Sequence, residues 1–145
     1  MNTEDFFSEI YNGGFCDDTT QLSPLQLAYI GDCVYELLVR SKVLKSPQVS
    51  VKKLNNQARS FVCAASQSDI YKILTEHLSE EEMCVMKRGR NAKSHSRSRS
   101  ASMSEYRHAT GLEVLFGHLH LASDKARLRE IFLICVESGE DVADG

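Results

Sequence analysis

Ser23-Pro24-Leu25-Gln26-Leu27-Ala28-Tyr29-Ile30-Gly31-Asp32-Cys33-Val34-Tyr35-Glu36-Leu37-Leu38 opens as a helix and carries an acid inside an apolar pattern. Ser23 can cap, Pro24 suits the first helical position, and Gln26 three residues on can complete a capping box. Leu27, Ile30, Val34, Leu37 and Leu38 then recur at helical spacing, and Pro47 requires the helix to finish before it. A second stretch, Ala109-Thr110-Gly111-Leu112-Glu113-Val114-Leu115-Phe116-Gly117-His118, places Glu113 in a comparable setting. Burying a carboxylate alone costs too much, so each acid must pair with a base, face water or line a wet cleft. Spacing by itself leaves those alternatives open.

Working outward, Val51, Leu54, Ala58 and Phe61 predict a helix over about 51–62, and Ile70, Ile73, Leu74 and Leu78 another after the Ser66–Ser68 region. Ser79 and Glu82 form a second capping box, opening a helix that runs through Met83 and Met86 to about Arg90. Residues 94–104 alternate serine with other residues and lack apolar periodicity, which predicts a loop. Ser104 can cap a helix carrying Leu112, Leu115, Phe116 and Leu119. Ser123 can cap a last one through Leu128, Ile131, Phe132 and Cys135, stopping near Gly139. Nothing reads as a strand. The expectation is an all-α single domain of about six helices over residues 23–139, with a basic loop at 87–104, a lead segment at 1–22 and a tail at 140–145.

At 145 residues, 42% hydrophobic and 26% charged, the chain has the composition of an ordinary globular domain. No apolar run approaches the ~20 residues that cross a bilayer, and Met1-Asn2-Thr3-Glu4-Asp5 is neither signal nor transit peptide, so a cytoplasmic protein with no membrane partner is expected. Five cysteines without a Cys-x-x-Cys pair fit a reducing compartment. The net charge of -3 argues against a protein that coats nucleic acid by general basicity. Its distribution is uneven, however. Lys87, Arg88, Arg90, Lys93, Arg97 and Arg99 follow one another with no acid among them.

The two acidic stretches resemble the motif boxes of the ribonuclease III family, with Ile30-Gly31-Asp32-Cys33-Val34 at the centre of the first and Glu113 in the second. Arg88-Gly89-Arg90-Asn91-Ala92-Lys93-Ser94 and Tyr106-Arg107-His108-Ala109-Thr110 are similar to stretches of its short Mini-III branch, which has the catalytic domain without a double-stranded RNA-binding domain. The resemblance implies a dimeric, Mg2+-dependent endoribonuclease that cuts double-stranded RNA into 5'-phosphate and 3'-hydroxyl ends. Its typical task is maturing large-subunit (23S) ribosomal RNA precursors, which leaves a ribosomal protein or an assembling subunit open as a further partner. It makes Asp32 and Glu113 the catalytic metal ligands and puts the first motif helix, with Tyr29, Cys33 and Glu36 off its main apolar stripe, at the dimer interface. The pattern is incomplete. Leu25 and Ala28 stand where the family carries two glutamates, and Thr110 where it usually has an aspartate. One metal with more waters, or a site completed by RNA phosphates, is therefore expected.

Magnesium held by carboxylates polarises a phosphoryl oxygen and activates a water, the two needs of phosphodiester hydrolysis. One carboxylate from each of two helices suffices only where the helices pass close together, and Gly31 and Gly117 permit that approach. Double-stranded RNA is read by shape, phosphates and 2'-hydroxyls, which suits Lys87, Arg88, Arg90, Lys93, Arg97 and Arg99, and the resemblance adds Asn91, Arg107 and His108 as RNA contacts. The alternatives are a solvated charge run, a surface histidine and, for the whole chain, a noncatalytic RNA-binding or ribosome-assembly module on the same fold. His118 and His120 point about 200° apart around a helix and do not chelate together. Glu36 shares a face with Asp32 and serves either a metal-bound water or a polar contact.

Overall fold

Residues 2–12, 14, 16–46, 50–93 and 102–144 are described by a computed structural model, and every regular element among them is helical. The helices are α1 (Thr3–Asn12), α2 (Pro24–Leu44), α3 (Val51–Val62), α4 (Ala64–Leu74), α5 (Glu80–Asn91), α6 (Met103–Leu121) and α7 (Lys125–Asp144), with a 3-10 turn at Thr19–Gln21. Among the described residues there are thus seven α-helices against the six or so expected, the additional one being α1 within the lead segment. The last helix runs on through Gly139. A Cβ there would lie 2.4 Å from the Phe61 ring, so this glycine serves close packing and is no stop. Pro47 lies outside the described residues.

Both expected capping boxes form, at Ser23 with Gln26 and at Ser79 with Glu82. Three helix starts differ from expectation. Ser102, not Ser104, caps α6, its hydroxyl accepting from the Glu105 amide at 3.1 Å. Ser123 adopts a left-handed φ of 56° at the α6–α7 corner, and its hydroxyl donates to the Asn12 carbonyl at 2.9 Å. The α7 cap falls to Asp124, which accepts from the Arg127 amide at 3.2 Å. Ser66 and Ser68 lie inside α4, because the chain breaks helical geometry only at Cys63 and resumes at Ala64.

Helix α6 is the axis of the fold, in contact with α2, α4, α5 and α7. Residues 109–112, 114–117, 119 and 121 are all buried, so it is enclosed nearly all round and shows no one-sided apolar stripe. Its Phe116 meets Tyr35 of α2 edge to face at 5.0 Å, and the Tyr35 hydroxyl donates to the Phe61 carbonyl at 2.8 Å. Leu37, expected in the core stripe, is 64% exposed, and so is Val51 at 72%.

Glu82 joins three elements. Besides accepting from the Ser79 amide at 2.9 Å, it takes two bonds of 2.8 Å from the Arg127 guanidinium, which also donates to the His77 carbonyl. Hydrogen bonding from Arg127 and the Ser79 amide holds its carboxyl down at about 2, against an ordinary 4.5. The sign follows from the depressed value: the stabilisation is complete above pH 4.5 and is lost as pH falls toward 2. Arg127→Met is expected to cost about 3 kcal/mol near neutrality, because it strands a nearly buried carboxylate. Urea denaturation at a series of pH values checks both: the gap between variant and wild type should close as the medium is acidified.

Candidate active site

The crossing of α2 and α6 is a contact between backbones. A Cβ on Gly31 would fall 1.6 Å from the Glu113 carbonyl oxygen, and one on Gly117 would fall 2.0 Å from the Leu27 carbonyl oxygen. Only residues without side chains let two helices come this near, and each glycine sits against the other helix's main chain. Asp32 follows Gly31 directly, and Glu113 lies one turn before Gly117. The crossing therefore mounts the two acids on facing helices at the point of closest approach.

Their electrostatics follow. Burial, and then the neighbouring Asp32 carboxylate, push Glu113 up to about 8. Burial and Glu36 raise Asp32. Glu36 itself is engaged by Arg40, whose Nε donates to it at 3.0 Å, which favours the polar-contact reading for Glu36. Burial and the Asp32 charge push Glu113 toward protonation, and burial and Glu36 do the same to Asp32, so the pair calls for a cation, and its oxygens are the hard donors that magnesium takes. No group of three or more His, Cys, Asp or Glu suited to a metal exists among the described residues. The pair fits Mg2+ only with further oxygens from water or a phosphate.

A cavity of about 460 Å³ opens beside Glu113. Glu105, Tyr106, Thr110 and Glu113 of α6 form one wall, and Arg59 and Gln67 belong to the other, where α3 gives way to α4. Arg59 and Gln67 were absent from the sequence reading. A signal existed: α4 starts at a position with no Ser, Thr, Asp or Asn to cap it, Cys63 standing there instead.

Residues 25–124 match the ribonuclease III domain. The chain belongs to the ribonuclease III family, on its Mini-III branch. It is similar to the Mini-ribonuclease 3 of Clostridium tetani, with 41% identity covering 86% of this chain and 83% of that one. It is also similar to those of Enterococcus faecalis (40% identity, 83% and 92%) and Symbiobacterium thermophilum (44%, 76% and 85%). The crystal structure of a Fusobacterium nucleatum protein superposes with a TM-score of 0.74 at 32% identity, covering 84% of this chain and 98% of that one. As a member of the ribonuclease III family the chain is an endoribonuclease.

Against the ribonuclease III pattern, the three departures are structurally explicit. Leu25 is 43% exposed, Ala28 is buried, and the Thr110 hydroxyl donates to the Tyr106 carbonyl at 3.0 Å, so it is committed to the helix's own backbone. Among the basic positions, Lys87, Arg88, Asn91, Lys93 and Arg107 are exposed, Asn91 accepting from Arg90 at 3.2 Å. Arg97 and Arg99 lie outside the described residues. His108 is more internal than a phosphate contact suggests. Its Nδ1 lies 2.9 Å from the Ser68 hydroxyl and its ring stands 4.6 Å from that of Tyr71, while burial, with Lys72 and Arg90 nearby, lowers its pKa. Tyr29 is 82% exposed, and with Leu25, exposed Cys33 and Leu37 it forms a row at every fourth residue of α2. Glu36 flanks that row, half-buried. No described helix is long and apolar enough to cross a membrane.

Proposed function

We propose that this chain is a Mg2+-dependent endoribonuclease that cleaves double-stranded RNA as a two-fold dimer, leaves 5'-phosphate and 3'-hydroxyl ends, and matures large-subunit (23S) ribosomal RNA precursors in the cytoplasm. The observation that supports the reading is the glycine-mediated crossing, which brings the backbones of α2 and α6 together beside Asp32 and Glu113, with the Asp32 charge near enough to raise Glu113. Asp32 and Glu113 are the residues that would hold the ion. Bound there, Mg2+ supplies the charge that polarises a phosphoryl oxygen and acidifies a water. Asp32 and Glu113 would hold it as carboxylates, and the burial of Glu113 would strengthen its pull on a cation. Lys87, Arg88, Arg90, Lys93 and Arg107 would supply phosphate contacts, with Arg97 and Arg99 continuing the basic run in sequence. Asn91 and His108 complete the RNA-facing set, His108 as a neutral hydrogen-bonding ring.

A single acidic pair cuts one strand, so cutting a duplex calls for a second copy. The Leu25, Tyr29, Cys33 and Leu37 row, with Glu36 beside it, is the surface assigned to that contact. Incubating the chain and Mg2+ with a structured precursor of large-subunit ribosomal RNA tests the proposal. Paired cuts on opposite strands are expected, with none in single-stranded RNA and none after chelation of the metal. Sedimentation should report a dimer at micromolar concentration. Duplex binding without cleavage would instead favour the noncatalytic assembly module, to which the loss of three carboxylates at Leu25, Ala28 and Thr110 lends weight.

A further inference from the structure

The cavity beside Glu113 gathers hydrogen-bond donors that no partner uses. Its α4 wall begins at Cys63, and no side chain caps the helix, so the first amides, at Ala64 and Ala65 on the cavity wall, keep the unsatisfied N–H groups and partial positive charge of a helix start. Gln67, one turn on, is only 3% exposed and lines the same cavity, yet its side-chain amide has no hydrogen-bond partner among the described residues. Its amide opens onto the cavity and not into the sealed core, where the Tyr71 hydroxyl is the one buried side-chain polar group without a partner among the described residues. Arg59 completes the wall. It is exposed and forms no ion pair among the described residues, although Glu105 borders the same space.

We propose that this cavity is a phosphate subsite, in which Arg59, the Gln67 amide and the first amides of α4 hold one backbone phosphate of the RNA while Glu113 on the opposite wall serves the cut. The inference rests on the nuclease reading above and names where the substrate is gripped beside the reacting bond. A planar guanidinium, a side-chain NH2 and a helix start can all donate, a set that suits an anion. Glu113 stands on the α6 wall, across the cavity from the donors of α3 and α4. The subsite also offers a role for a polar residue buried at a site where the ribonuclease III boxes supply none.

The test pairs protein and RNA changes. Cleavage of a short duplex in Mg2+ is measured for wild type, Arg59→Ala and Gln67→Leu, against duplexes with one neutral methylphosphonate placed in turn at each position near, but not at, the cut. Arg59→Ala should lower kcat/KM by roughly 10- to 100-fold, the range for a hydrogen-bonded charge contact, chiefly through KM. The salt dependence of its binding should lose a slope of about one. At one backbone position the methylphosphonate should slow wild type by a similar factor and leave Arg59→Ala unaffected. Gln67→Leu should show the same insensitivity in weaker form. Wild-type kinetics for Arg59→Ala, or losses that simply multiply at every position, overturn the subsite. Free inorganic phosphate that competes with the duplex in wild type but not in Arg59→Ala would support the site without needing its register on RNA. If wild type cuts and no position couples, the subsite alone falls; if wild type neither binds nor cuts duplex RNA, the nuclease reading falls with it.

Discussion

Gly31→Val should remove most of the stability of this domain. The added side chain would start 1.6 Å from the Glu113 carbonyl oxygen and 2.8 Å from the Gly117 nitrogen, and neither can rotate away because both belong to the main chain of α6. Alanine at the same position gains about 1 kcal/mol of helix propensity over glycine, yet it meets the same obstacle. Ordinary overpacking costs about 1–3 kcal/mol when side chains can shift. Here two helices must separate instead, so Gly31→Ala is expected to lose at least about 3 kcal/mol net and Gly31→Val to exceed the range of most single substitutions. Thermal or urea unfolding reads this directly. An alanine variant with a wild-type midpoint would show that α2 and α6 do not touch in solution, and the proposed site would lose its frame.

Asp32→Asn is expected to leave the fold intact and reduce cleavage by about a thousandfold or more, the several kcal/mol that a metal contributes to such a transition state. The amide keeps nearly the same shape. The carboxylate it replaces is itself under strain from burial and Glu36, and its removal also relieves Glu113, so the folded state should be unchanged or slightly firmer. Lost activity in a protein that melts no lower than wild type separates chemistry from packing. Glu113→Gln should behave alike and adds a pH signature. A carboxyl raised to about 8 must give up its proton to bind a cation, so the stabilisation of wild type by Mg2+ should grow as pH rises toward 8. In metal-free protein the same raised value works the other way, since stability present below the ordinary 4.5 is lost as pH climbs through 8. Glu113→Gln should lack both trends. Cleavage at the wild-type rate by either variant would refute the assignment of the pair.

The helices that hold this pair were readable because their signals are local. Ser23 with Gln26 and Ser79 with Glu82 close within one turn, and the structure has both boxes as expected. The glycines of the two acidic boxes were readable as points of approach for a similar reason: each sits within a turn of the acid it serves. What failed depended on neighbours distant in the chain. Ser123 resembles a cap until Asn12, more than a hundred residues away, claims its hydroxyl. Gly139 resembles a stop until Phe61 needs its space. Leu37 falls on helical spacing with Leu27 and Val34, but α2 is covered on one side only, and residue 37 turns outward with Tyr29. The Arg59 and Gln67 wall was invisible because no periodicity marks a cavity; it arises from the uncapped joint at Cys63 meeting α6.

Enclosure of α6 by its neighbours has a consequence for how this protein fails under heat. Amide protons along Ala109–Leu121 should exchange with deuterated solvent last of all, at rates set by global opening, while those of α1, which has no buried residue, exchange early. The general pattern for enzymes is a reactive group on a compliant loop that detaches before the rest melts. Here Glu113 rides the slowest-opening segment of the molecule, so a heating curve of enzymatic output should trace the loss of the whole structure, with no earlier step of inactivation.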